Sequence, residues 1–214
     1  CGCLPLAVDL AGKMLRDLGV SGGDWAGIPE LLREELRGAD GDETTVEYRV
    51  ISASLGAIPM RDRANAKKVF SVFALVVEDT HVPMSAFRIL LSAITGEAEL
   101  VPELQLRKWL QVLINRSIVL GTWERPQLHD IVREFAIALF SLEELQELQR
   151  KVVDAFCAHR PVSEDPLIFG LQIWRYDTHE GPCHEYVHRQ IVHHMREGLA
   201  LESLAEVHPR ARDW

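Results

Sequence analysis

The chain has 214 residues, 47% hydrophobic and 26% charged, an ordinary composition for a globular protein long enough to bury a core without staples. Its formal net charge of -9 and pI of about 5.5 argue against broad phosphate-backbone binding, which needs lysine and arginine gathered on one face. The four cysteines (Cys1, Cys3, Cys157, Cys183) form no CxxC pair and suit a reduced, cytoplasmic compartment, and no apolar run reaches the ~18 residues needed to span a bilayer.

The first residue is Cys, and an apolar helical pattern starts almost at once with no basic leader. The expectation is a piece of a longer protein and not a signal peptide. Ala7, Leu10, Ala11, Met14, Leu15 and Leu18 recur at helical spacing, and Gly19 closes the run. Residues 21–29 read as a loop, Ile28, Leu31, Leu32 and Leu36 as a short second helix, and 37–45 as a polar loop. Val46, Val50, Ile51 and Leu55 start a third helix that ends before Pro59. Val69, Phe70, Phe73, Ala74 and Val77 predict a strongly apolar helix, followed by Glu78, Asp79 and His81-Val82-Pro83. Pro83 with Ser85 opens the next helix, which holds Phe87, Leu90 and Leu91, and Trp109, Leu110, Val112 and Leu113 mark another.

The β-branched run 117–122 and a turn at 123–126 predict a β-hairpin, after which Leu128 begins a helix with Ile131, Val132, Phe135, Ala136 and Leu139. Helices followed by a short hairpin give the order of a winged helix, and the helix after the hairpin is an addition to that plan. Residues 142–156 form another amphipathic helix, 159–166 with two prolines a linker, and the helical pattern then returns, broken at Gly181-Pro182. The expected fold is mainly α: a helical domain over 1–60, a winged helix with a small β-hairpin over 61–158, and the start of a following α-helical domain over 159–214. Residues 1–60 hold 5 basic and 10 acidic side chains, 61–160 hold 13 of each, and 161–214 hold 5 and 9. The expected winged helix is therefore neutral, which speaks against a DNA-binding regulator and makes nucleic acid an unlikely partner.

Two short segments carry chemistry. Cys1-Gly2-Cys3-Leu4-Pro5-Leu6-Ala7 is a loop-to-helix junction, where a proline is common because its missing N–H has no helical partner to lose. Leu128-His129-Asp130 lies where hairpin meets helix. A helix N-terminus offers free N–H groups and partial positive charge, so a histidine there can donate to a phosphate. Taken alone, the segment reads first as an Asp130 cap beside an exposed histidine.

Together the two segments are more specific. The first, followed by an apolar helix, resembles the GLPLA motif of NB-ARC domains, and residues 128–136 (LHDIVREFA) resemble the MHD motif and its helix. Between them, 70–83 (FSVFALVVEDTHVP) and 109–120 (WLQVLINRSIVL) resemble the family's winged-helix segments. Leu in place of Met before His-Asp, and 142–156 (LEELQELQRKVVDAF), look like the apoptotic protease-activating factor branch. The resemblance implies a signalling NTPase of the STAND type, an ADP/ATP-dependent switch of apoptosis or immunity in the cytoplasm. It implies that Pro5 packs against adenine and His129 contacts the β-phosphate of ADP. It also implies three partners: an N-terminal nucleotide-binding core of the same chain, C-terminal sensor repeats, and further copies on activation. Magnesium would be held only by residues upstream, and this part of the protein would not itself be catalytic. Cys3 departs from the Gly or Ser common at its position, which puts the nearby backbone in doubt.

Two other motifs compete. Residues 7–14 (AVDLAGKM) approach a Walker A loop, but Met14 replaces the hydroxyl that ligates Mg²⁺, and the helical periodicity is unbroken. His184-Glu185-Tyr186-Val187-His188 matches HExxH, in which two histidines a turn apart bind zinc and the glutamate activates water, so a zinc-dependent hydrolase is the alternative. His194 falls where the longer form of that motif has its third ligand. Ile191 stands where that form needs a chain-turning glycine, however, and six helical residues turn about 600°, which sets His194 away from His188. Residues 186–204 look instead like a helix pair of the array that follows the family's winged helix. His193, His194 and His208 are expected at surfaces or helix interfaces.

Overall fold

A computed structural model describes residues 46–78, 80–159 and 182–198, together with Val8, Asp9, Gly12, Lys13 and Arg16. The expected helix at 28–36, the loops at 21–29 and 37–45, the linker, and Pro5 and His208 lie outside the described residues. Seven α-helices and one two-stranded antiparallel sheet are described, so the chain is mainly α with a small hairpin.

The first helix, α1 (Val46–Gly56), stops three residues before Pro59, as its pattern predicted. The second, α2 (Met60–Ser71), differs from expectation. Pro59, extended at φ -51° and ψ 137°, opens it nine residues before the apolar run at Val69. Its early turns (MRDRANAKK) show too little apolar periodicity to read as an element. The apolar run continues the helix only through Ser71. It tightens into a 3-10 turn, Val72–Ala74, and Val72 through Val76 are all buried. Five consecutive buried positions have no helical period, because no face is left for solvent.

Helices α3 (Met84–Thr95) and α4 (Glu103–Asn115) match the expected ones. Gly96 at φ 69° closes α3 in the left-handed conformation. Ser117 does the same for α4 at φ 54°. The Ser117 amide donates to the Ile114 carbonyl (2.9 Å) and the Ile118 amide to the Leu113 carbonyl (3.1 Å), while the Ile118 and Leu113 side chains are both buried. This bonding satisfies the carbonyls at the end of α4 and turns the chain into the hairpin.

The hairpin is shorter than expected. Strand β1 (Leu120–Gly121) pairs with β2 (Pro126–Gln127), Leu120 opposite Gln127 and Gly121 opposite Pro126. Ser117, Ile118 and Val119 belong to the helix exit, and Pro126 sits in the strand and not in the turn. At Gly121 (φ 79°) an added Cβ would lie 2.4 Å from the Arg125 carbonyl oxygen. Gly121→Ala is therefore expected to destabilise the chain by about 1–3 kcal/mol, from backbone strain plus the clash. An unchanged midpoint in urea would contradict this.

After the hairpin come α5 (Asp130–Ala138) and α6 (Leu142–Ala158). Ser141 and Glu144 cap α6 reciprocally, at 3.2 and 2.7 Å. The last described helix is α7 (Pro182–Gly198). Among the described residues one buried apolar cluster runs through helices α1 to α7, from Val50 to Ile191, across both expected boundaries, 60 and 158. On the α1 side Phe135 meets Tyr48 edge-on at 5.3 Å. On the α7 side Phe156 stacks on Tyr186 at 5.9 Å, and Gly198 packs so close to α6 that a Cβ would sit 2.8 Å from the Arg150 nitrogen. Buried Arg116, at the end of α4, donates to the carbonyls of Ala57 (3.0 Å) and Ser54 (3.4 Å), placing a cation at the negative end of α1.

Candidate functional site

The site builds up at the junction of β2 and α5. Pro126 is buried and Leu128 half-buried against the core, which fixes where the chain leaves the hairpin. Leu128 does not begin the helix, as its pattern had suggested. The helix starts at Asp130, and His129 is its N-cap, extended at φ -71° and ψ 144°. The His129 carbonyl accepts from the amides of Val132 (2.8 Å) and Arg133 (3.0 Å), while its imidazole makes no capping hydrogen bond and is exposed. A histidine used this way gives the helix its carbonyl and leaves the ring for something else. The ring stands at the positive end of a nine-residue helix, with Asp130 in the first turn. This chemistry suits an anion that brings hydrogen-bond acceptors, such as a phosphate. His129 is thus described and Pro5 is not, so the two expected contact residues are not brought together by the described part of the chain.

Beside this junction lies a small cavity of about 70 Å³, with Phe73, Val76, Leu128, Asp130 and Arg133 in its wall. Arg133 donates through Nη2 to the Val76 carbonyl at 3.0 Å, and its Nε is buried without a partner. In the sequence Arg133 is one polar letter of the motif-like segment 128–136. No local pattern marks a side chain whose partner lies 57 positions away.

The competing motifs are placed as follows. Gly12 and Lys13 are helical, and the Lys13 ammonium reaches the carboxylate of Asp9 (3.4 Å) and the hydroxyl of Ser117, so this segment is no open phosphate loop. Hydrogen bonding to Ser117, ahead of the nearby Lys13 charge, holds the Asp9 carboxyl below its ordinary range. The HExxH segment lies on α7, with the side chains of His184 and His188 outside the described set. Glu185 is exposed and paired with Arg189 at 2.7 Å. His194 is fully buried and both ring nitrogens are occupied, Nδ1 by Gln149 Oε1 at 2.6 Å and Nε2 by the Tyr186 hydroxyl at 3.0 Å. It is therefore no third metal ligand. Gln149 Nε2 in turn donates to the Leu75 carbonyl at 3.3 Å. That bond fixes the amide, so His194 donates from Nδ1 and accepts from Tyr186. Burial, and then the neighbouring His193, lower the His194 pKa to about 3, so the ring is neutral.

For duplex binding, α4 would be the groove-reading helix. Its Lys108 pairs with buried Asp62 at 3.4 Å. Its Arg107 bonds to Glu103 and covers the Trp123 ring at 3.6 Å. Both cations are matched within the fold and offer little to a phosphate backbone. No described helix is long and apolar enough to cross a membrane. No protein-family model and no curated protein matches the chain.

Proposed function

We propose that the chain is the closing part of an ADP/ATP-dependent molecular switch in cytoplasmic signal transduction, a latch that folds over bound ADP and releases when ATP replaces it. The observation that carries this reading is the N-cap of α5: His129 is extended, exposed and unused as a side-chain cap, at the end of a three-helix-plus-hairpin unit. Its support beyond geometry is the resemblance of the segments around Pro5 and His129 to the two nucleotide-contacting motifs of NB-ARC proteins. In this reading His129 donates to the β-phosphate and Pro5 packs on adenine. The phosphate loop and the Mg²⁺ ligands come from a nucleotide-binding core that is not among these 214 residues. Opening the latch frees surfaces for oligomerisation, and sensor repeats govern when it opens. A ligand shifts such an equilibrium only through its difference in affinity for the two states, and His129 supplies that difference.

The test is ADP retention by the full-length protein. One hydrogen bond to a charged group contributes about 1.5–3 kcal/mol, so His129→Ala is expected to speed ADP release roughly ten- to hundred-fold. Unchanged release would overturn the reading. The chain alone is expected to bind ADP no better than millimolar, and a micromolar Kd would also count against it.

A further inference from the structure

Leu75 and Val76 are consecutive buried residues just after the 3-10 turn, and their two carbonyls are held from two different helices. The Leu75 carbonyl accepts from Gln149 of α6 (3.3 Å), the Val76 carbonyl from Arg133 of α5 (3.0 Å). Behind Gln149 stands His194 of α7 (2.6 Å), and behind His194 the Tyr186 hydroxyl (3.0 Å). All donors in this buried chain point the same way, from Tyr186 through His194 and Gln149 to Leu75. The Arg133 amide, one turn into α5, bonds to the His129 carbonyl at 3.0 Å. The two carbonyls belong to successive peptide units that share the Val76 Cα, so a single residue separates a hydrogen-bond chain rooted in α7 from the arginine that anchors the helix carrying His129.

We infer that Arg133 is a positioning residue for His129, and that the Leu75–Val76 segment, two successive peptide units hinged at the Val76 Cα, is a joint through which α7 sets the start of α5. The inference rests on the proposed latch for its functional meaning, though the joint itself can be tested without nucleotide. Side-chain bonds to backbone carbonyls inside a fold are costly to leave unmade, so loosening one carbonyl shifts the adjoining peptide unit that the other bond holds. A change at α7 would then reach His129 through a contiguous path of named bonds.

Hydrogen exchange on the 214-residue chain tests the joint, read at the amides of Val132 and Arg133, with those of Leu110 and Leu113 in α4 as reference. Arg133→Met is expected to speed exchange at the α5 amides about tenfold, and Arg133→Lys, which keeps a donor, to restore most of the protection. Gln149→Met, on another helix, is expected to speed the same two amides several-fold with α4 unchanged. The double variant should fall short of the product of the single effects. Unchanged α5 amides in Gln149→Met, equal loss in α4, or independent effects in the double variant would each overturn the joint. Retention of ADP by the full-length protein carrying Gln149→Met then separates the two claims. Faster release alongside faster release in His129→Ala supports the functional coupling, and unchanged release in Gln149→Met alone overturns it. Unchanged release in His129→Ala removes the latch reading and leaves the joint to stand or fall on the exchange data.

Discussion

Unfolding the chain in denaturant at pH 6.5 and at pH 5 is expected to show a loss of about 2 kcal/mol at the lower pH, traceable to His194. The ring is fully buried with both nitrogens bonded, and burial lowers its pKa from 6.5 to about 3. Between those values the unfolded chain binds one proton more than the folded chain. The stabilisation is complete above pH 6.5 and is lost as the pH falls towards 3, at about 1.4 kcal/mol per unit. His193 adds in the same direction: partial burial is the main cause of its lowered pKa, opposed by Glu197 at 4.0 Å. A protonated His194 could no longer accept from Tyr186, so the hydrogen-bond chain between α7 and Leu75 should break at its source. His194→Gln keeps a polar partner for Gln149 without a titrating group and is expected to flatten most of the slope. A slope as steep in His194→Gln as in the parent chain would place the acid sensitivity elsewhere.

The same residue shows what local sequence patterns can and cannot carry. Helical spacing located α1, α3, α4 and α6 because each presents one apolar face to the core, and a face is a periodic signal. It missed the first turns of α2, whose long polar stretch buries only Asp62 and Ala66. It read the whole run from Val69 to Val77 as helix, whereas α2 ends at Ser71 and burial on all sides leaves 72–76 without a period. At the candidate site the helix-start chemistry of Leu128-His129-Asp130 was legible to within two residues, but the cap expected at Asp130 is His129, and Asp130 stands in the first turn. Arg133, Gln149, His194 and Arg116 were not legible as a group. Each is a polar residue whose burial depends on a partner 45 to 74 positions away, and no window of sequence holds both ends. His194 was expected at a helix interface or on the surface, and the interface is where it lies.

The chemistry at the competing motifs is set by the same packing. An HExxH helix that binds zinc must face an open site. Here α7 turns Tyr186, Val187, Ile191 and His194 into the core, and Glu185 is held outside by Arg189. A wider cleft of about 440 Å³ does lie against this helix, between the 80–83 loop, Arg125 at the hairpin tip and Arg189. A groove-reading α4 would need free cations, and Arg107 and Lys108 are both engaged with residues of the fold. The imidazole at the start of α5 is exposed and uncommitted to a cap.

Phe156→Ala is expected to destabilise the chain by about 3–5 kcal/mol, the usual range for emptying a buried phenylalanine site. Phe156 is among the largest fully buried side chains, on α6, and stacks on both Tyr186 (5.9 Å) and His194 (6.4 Å) of α7. Further along the same helix pair Gly198 already lies against the Gln149–Arg150 backbone, so α6 and α7 have little room to close on the cavity. For a chain of this size the melting temperature should fall by roughly 6–20 °C. How it falls bears on the boundary expected near 158. If α7 and the preceding helices share one core, as the continuous cluster from Val50 to Ile191 implies, the Ile191 and Leu110 amides should lose protection together. If α7 instead unfolds alone in Phe156→Ala while α4 keeps its parent stability, the two parts are separate cooperative units. The Leu75–Val76 joint would then link domains, and α7 could move on His129 without unfolding the latch.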